Sequence, residues 1–226
     1  MATLLLDNFT GVGALASHVA DSGQAWTVGN QPAANRLKLD GTGRLYFDGF
    51  NSDWQTFVPV GVLVPQAPFT AEFVVRVGVM PANTGGPAAW FYMRLWNYMG
   101  LNLQLFYSGS VKTMSIQTQY VPAGGGGAIG EYDISPVVDN TTYTVRLEFT
   151  PGTNTKIYLN EALVLTTSGP PKADIGSTAM DFYMEEDRAT LPAPYLFIDR
   201  ITLGDSAPPP PPPAFWQSFV GSHEVV

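Results

Sequence analysis

In FTAEFVVRVGV the residues Phe69, Ala71, Phe73, Val75, Val77 and Val79 fall on one side of an extended chain, with Thr70, Glu72 and Arg76 on the other. YTVRLEF repeats the pattern: Val145, Leu147 and Phe149 oppose Thr144, Arg146 and Glu148. Such period-two segments belong to antiparallel strands with one face packed and one wet. Further stretches of this kind follow along the chain: RLKLDG, RLYFDG, TFVPVGVLV, AWFYMRLW, LNLQLFY, TMSIQTQY, TKIYLN, LVLTTS, MDFYME and YLFIDRITL. About a dozen short strands are thus predicted, separated by Gly, Pro, Asn and Asp. No segment carries a convincing helical period; LASHVAD offers about two turns before Ser22 and Gly23. The expected fold is all-β, a two-sheet antiparallel sandwich.

Three central strands define a candidate surface. AWFYMRLW places Ala89, Phe91, Met93 and Leu95 on one face and Trp90, Tyr92, Arg94 and Trp96 on the other. Leu101, Leu103 and Leu105 then oppose Asn102, Gln104 and Phe106, and Met114, Ile116 and Thr118 oppose Ser115, Gln117 and Gln119. If these strands are neighbours, one face is aliphatic core and the other a mosaic of rings, amides and one guanidinium. Planar rings and amides suit the faces and hydroxyls of a glycan. The same residue types suit a protein interface, and they equally fill the second layer of a sandwich.

Some segments resemble a known family. YTVRLEFTPGTNTKIYLNEALVLTT reads as successive hairpins and resembles the late hairpin of concanavalin A-like jelly rolls, including the laminin-G type, whose second turn usually reads Asp-Gly where this chain has Asn160-Glu161. LFIDRITLGD resembles the closing strand of that fold, which pairs near the N-terminal strand. The opening DNFTGVGALASHVADSGQAWTV resembles the start of phage-encoded and bacterial domains of this type, through Asp7, Phe9, Thr10, Gly11, Leu15, His18, Asp21, Gly23, Trp26 and Thr27. The resemblance implies a concanavalin A-like jelly roll over residues 1–205 and a virion setting, with assembly in the host cytoplasm. It says little of chemistry. His18 is expected to be a hydrogen-bonded structural residue of the N-terminal loop, because no Ser or Cys nucleophile motif accompanies it.

Composition narrows the partners. Charged residues make up 13% and the formal net charge is −8, with 11 Lys and Arg scattered singly. Nucleic acid and anionic membranes need clustered positive charge, so neither is an expected partner. The chain has no cysteine, and no apolar run reaches the ~18 residues of a membrane span. MATLLLDNFTG lacks a basic region before its apolar run and does not read as a signal peptide.

No catalytic constellation is expected. One glycosidase family with this fold carries Glu-x-Asp-x-Glu on a single strand, where alternate acids share a face. EYDISP supplies Glu131 and Asp133, but Ser135 or Pro136 stands where the third acid belongs, and the stretch follows the loop VPAGGGGAIG. That loop lacks the Gly-Lys-Ser/Thr of a phosphate cradle. In MEEDRA, Glu185, Glu186 and Asp187 read as solvated acids of an exposed turn rather than calcium ligands. No metal and no cofactor are expected.

The chain ends DSAPPPPPPAFWQSFVGSHEVV. Residues 206–213 read as a polyproline linker, semi-rigid at ~3.1 Å per residue. Residues 214–226 read as a docking arm whose anchors are Phe215, Trp216, Phe219 and Val220. These features lead to the expectation of a phage structural protein that decorates or completes a capsid or tail. Its arm would engage other virion proteins or a neighbouring copy in a homo-oligomer, by groove insertion or strand addition. The alternative is a glycan-binding module of a phage fibre or bacterial surface protein, directed at cell-surface glycan. Truncation after Asp205 is expected to leave a folded domain while weakening incorporation into particles or oligomers. Trp216→Ala should reproduce much of that loss, since each large apolar anchor contributes roughly 1.5–3 kcal/mol when buried. Normal incorporation of the truncated chain at limiting concentration would refute the arm.

Overall fold

A computed structural model of the chain describes residues 3–29, 36–49, 53–62, 68–80, 87–95, 99–108, 110–120, 128–150, 153–168, 180–186 and 194–205. Its strands are β1 Thr3–Asp7, β2 Val12–Ala14, β3 Trp26–Val28, β4 Leu37–Asp40, β5 Leu45–Phe47, β6 Asp53–Pro59, β7 Phe69–Val77 and β8 Pro87–Leu95. They continue with β9 Met99–Ser108, β10 Val111–Tyr120, β11 Ala128–Ile134, β12 Thr142–Thr150, β13 Asn154–Leu159, β14 Ala162–Ser168, β15 Met180–Glu186 and β16 Leu196–Asp205. Among the described residues these form two antiparallel sheets. A nine-stranded sheet runs β14-β13-β12-β7-β16-β5-β4-β2, with β1 also on β16, and a seven-stranded sheet runs β11-β10-β9-β8-β15-β6-β3. The N-terminal and closing strands pair, as the resemblance implied, with Leu6 opposite Thr202 and Asp7 opposite Ile201.

Alternation carries the sandwich. β7 is buried at Phe69, Ala71, Phe73, Val75 and Val77 and half-buried between them, and β12 does the same at Tyr143, Val145, Leu147 and Phe149. The seven-stranded sheet answers with Phe57, Phe91, Met93, Leu103, Leu105, Met114, Ile116, Phe182 and Met184. Aromatic rings join the two layers. Phe73 meets Phe91 edge-on at 5.2 Å, Phe91 stacks on Phe182 at 6.0 Å, Phe182 on Phe57 at 5.3 Å, and Trp26 closes on Phe57 at 5.4 Å. Each such side chain contributes about 1.5–3 kcal/mol by leaving water.

The opening motif is a hydrogen-bonded hub. Asp7, fully buried, accepts from the Phe9 amide at 2.7 Å, from His18 Nε2 at 2.9 Å and from Trp26 Nε1 at 2.6 Å. Three donors satisfy a carboxylate that would otherwise be costly to bury. His18 is thus a structural residue within its loop, and the hub ties β1 of one sheet to β3 of the other. Gln55 makes a second tie: from β6 it accepts the amides of Arg36 and Leu37 at the start of β4.

LASHVAD, which carries no convincing helical period, contributes only a 3-10 turn at Leu15–Ser17. Other local expectations are corrected. Val79 lies beyond the end of β7 and is exposed. Glu185 and Glu186 are not in an exposed turn. Both belong to β15, where Glu186 is fully buried and accepts the amides of Tyr195 and Leu196. EYDISP contributes to a strand after all, β11, at the edge of its sheet. Asp187, Trp96, the proline run and the arm residues Phe215, Trp216, Phe219 and Val220 lie outside the described residues.

The β13–β14 turn shows how Asn160-Glu161 replaces Asp-Gly. Both residues adopt left-handed backbone, with φ of 47° and 69°, as a two-residue hairpin turn requires. Asn160 is suited to it and accepts the Thr144 amide at 2.9 Å through its side chain. Glu161 bears the steric cost of a Cβ there, roughly 1–2 kcal/mol. Its exposed ion pair with Arg146, at 3.6 Å, returns only a fraction of that. Glu161→Gly is therefore expected to stabilise the fold by about 1 kcal/mol, read from the urea midpoint at constant m-value. A destabilised variant would overturn this account of the turn.

Candidate functional site

The outward face of the seven-stranded sheet gathers residues from β6, β15, β8, β9, β10 and β11. Register places them in two rows across the strands. The first runs Thr56, Tyr183, Tyr92, Asn102, Gln117, Glu131, and the second runs Trp54, Glu185, Trp90, Gln104, Ser115, Asp133. Of the residues anticipated from sequence, Trp90, Tyr92, Arg94, Asn102, Gln104 and Gln117 all lie on this one face. Trp54, Thr56, Asp181, Tyr183, Glu185, Ser115, Gln119, Glu131 and Asp133 also stand on it.

Rings occupy one half. Trp54 packs against Tyr183 at 5.4 Å, and Tyr183 meets Tyr92 edge-on at 5.2 Å. Trp54 stands 36% exposed at the border of this patch. Arg94 holds Asp181 with two parallel bonds, Nε to Oδ1 at 2.8 Å and NH2 to Oδ2 at 2.7 Å, and its guanidinium lies 5.7 Å from the Tyr183 ring centre. Burial pushes the Tyr92 hydroxyl above its ordinary pKa, against the opposing effect of the Gln104 amide. Burial also raises Tyr183, and the Glu185 carboxylate that accepts its hydroxyl proton pushes it the same way. Both phenols therefore stay protonated.

Amides occupy the other half as a ladder. Gln119 Nε2 donates to Gln117 Oε1 at 3.2 Å, which also accepts from Asn102 Nδ2 at 3.3 Å. Gln117 Nε2 donates in turn to Glu131 Oε1 at 2.8 Å, beside Ser115 Oγ at 2.6 Å. Asn102 is fully buried although it stands at an outward position, and its Oδ1 accepts no hydrogen bond among the described residues.

Apart from Glu185, read from sequence as an acid of a turn, the residues from β6 and β15 were not singled out from sequence. Their signal was the same alternation, in DWQTFVP and MDFYMEE, but nothing in a linear pattern says that β15 inserts between β6 and β8. That adjacency is a property of the jelly-roll crossover.

Away from this face, Lys112 points into the core and pairs with Asp139, and burial lowers the Lys112 pKa. Among the described residues no three His, Asp or Glu side chains converge on a metal position.

No protein-family profile matches the chain, and no curated protein matches its sequence. Solved structures do resemble it. The metal-free carbohydrate recognition domain of Emp46p superposes with a TM-score of 0.58 at 14% identity, over 80% of this chain and 88% of that one. An endo-1,3-beta-glucanase from Streptomyces sioyaensis gives 0.58 at 12% identity, over 89% and 95%. The CBM2 module of the evolved Dit of Lactobacillus casei BL23 phage J-1 gives 0.54 at 10% identity, over 89% and 94%. At these identities the likeness establishes the concanavalin A-like jelly-roll fold and nothing finer.

The bonds to Glu131 yield a test. Ser115 and Gln117 hold its carboxyl below the ordinary value of 4.5, so the stability it lends is complete above pH 4.5 and is lost as pH falls through the depressed midpoint. Ser115→Ala should move the Glu131 midpoint, followed by carboxyl NMR, upward toward 4.5. An unchanged midpoint would show that the Ser115 bond contributes nothing.

Proposed function

We propose that the outward face of the seven-stranded sheet is a carbohydrate-binding surface and that the domain holds glycan without cleaving it. The observation that carries this reading is the pair of rows in which Trp54, Trp90, Tyr92 and Tyr183 stand beside the half-buried amides of Gln104 and Gln117. Rings supply apolar planes for sugar faces, and amides both donate to and accept from hydroxyls. The carbohydrate-recognising proteins among the similar structures support the same use of the fold.

Binding without turnover fits the acids of the face. Glycoside hydrolysis by a retaining route needs two carboxyls about 5 Å apart, one with a raised pKa. Asp181 is held by Arg94, Glu185 accepts from Tyr183, and Glu131 is pulled down rather than up.

A second reading concerns where the domain works. The opening motif and the likeness to a phage Dit module favour a virion protein whose arm, through Phe215, Trp216, Phe219 and Val220, docks on a capsid or tail neighbour or on another copy. The two readings are compatible, since a particle-anchored module can present a glycan-binding face to the host surface.

On a glycan array the protein should bind a defined subset, and Trp90→Ala and Tyr92→Ala should each weaken binding at least about tenfold, ~1.4 kcal/mol. Their circular dichroism should remain that of the parent. Undiminished binding in both variants would move the site elsewhere. Turnover of a bound glycan that disappears in Glu131→Gln would overturn the non-enzymatic reading.

A further inference from the structure

On the strands of the seven-stranded sheet, the Lys and Arg residues among those described are Arg94 and Lys112. Lys112 points into the core, so Arg94 is the cation of the outward face. Four carboxylates share that face: Asp181 and Glu185 on β15, and Glu131 and Asp133 on β11. Arg94 is already committed to Asp181 through two parallel bonds. The remaining acids flank the ring-and-amide centre on either side, about four strand spacings or ~19 Å apart. The nine-stranded sheet and its loops differ, with ion pairs Arg200–Glu72, Arg146–Glu148, Arg44–Asp40 and Arg44–Asp199.

The geometry points to an uncharged polysaccharide as the ligand of this face, selected partly by repulsion of acidic polymers. This inference rests on the carbohydrate-binding reading. A uronate or sulfate group arriving at the centre would lose hydration, find the one cation among the described residues of this face already neutralised, and sit between carboxylates. An ammonium group would find no carboxylate in the central segment of the first row, Tyr92, Asn102 and Gln117, and Glu131 at its end already accepts from Ser115 and Gln117.

The test is affinity electrophoresis of the full chain through gels containing a neutral β-glucan, a neutral mannan, a polyuronate or a polyglucosamine, with Trp90→Ala alongside. That variant keeps the net charge, so retardation shared by both proteins is non-specific. The expected result is Trp90-dependent retardation in a neutral polymer, changing less than about twofold between about 0.02 and 0.3 M salt, because no net charge is paired on binding. Trp90-dependent retardation confined to the polyuronate or the polyglucosamine, or a steep salt dependence on the neutral polymer, would overturn the uncharged class and leave carbohydrate binding standing. Absence of Trp90-dependent retardation in every gel, together with an empty glycan array, would overturn the carbohydrate reading itself.

Discussion

The ring layer between the sheets is the constraint on which the rest depends. Phe73 from the nine-stranded sheet, Phe91 and Phe182 from the centre of the other, and Phe57 with Trp26 toward its β3 edge form one continuous contact. Because side chains alternate strictly, placing Phe91 and Phe182 inward forces Trp90, Tyr92, Arg94, Asp181, Tyr183 and Glu185 outward. A slip of one residue in β8 or β15 would turn Arg94 or Asp181 toward the core and the phenylalanines away from it. The candidate site is the other side of the same register that builds the core.

Legibility in the sequence followed this logic. Strands whose inward residues are uniformly apolar, such as FTAEFVVRV and YTVRLEF, declared both their type and their faces, and the mosaic on β8, β9 and β10 could be read residue by residue because these strands are joined in order. β15 could not be placed so readily. It arrives late in the chain and enters between β8 and β6, and its inward Glu186 breaks the apolar pattern in order to hold the amides of Tyr195 and Leu196. Buried polar residues that serve distant backbone groups carry no local signature, and Gln55 was illegible for the same reason.

The opening motif illustrates how a resemblance can be informative about structure while silent about chemistry. Asp7, Phe9, His18 and Trp26 resemble a recurring pattern because one buried carboxylate gathers an amide, an imidazole and an indole. Each donor alone is modest, but removing the acceptor would strand all three in the interior. A histidine easily mistaken for a catalytic group is thereby accounted for by its partner.

The two sheets divide polar duties unequally. Outward from the nine-stranded sheet, charges meet within the protein: Arg200 with Glu72, and Arg146 with Glu148 while its guanidinium lies 4.0 Å from the Tyr158 ring centre. Outward from the seven-stranded sheet, the ladder of Gln119, Gln117 and Asn102 satisfies itself along one direction and stops at an Asn102 oxygen that accepts nothing among the described residues. A buried amide oxygen left in that state costs about 1–3 kcal/mol. The orphan sits beside the aromatic half of the face rather than at its rim, next to Tyr92 in register. A hydroxyl-bearing ring laid against Trp90 and Tyr92 would meet the half-buried amides instead, Gln104 opposite Trp90 and Gln117 beyond Asn102, so the polar and apolar parts of the face are served by one ligand chemistry.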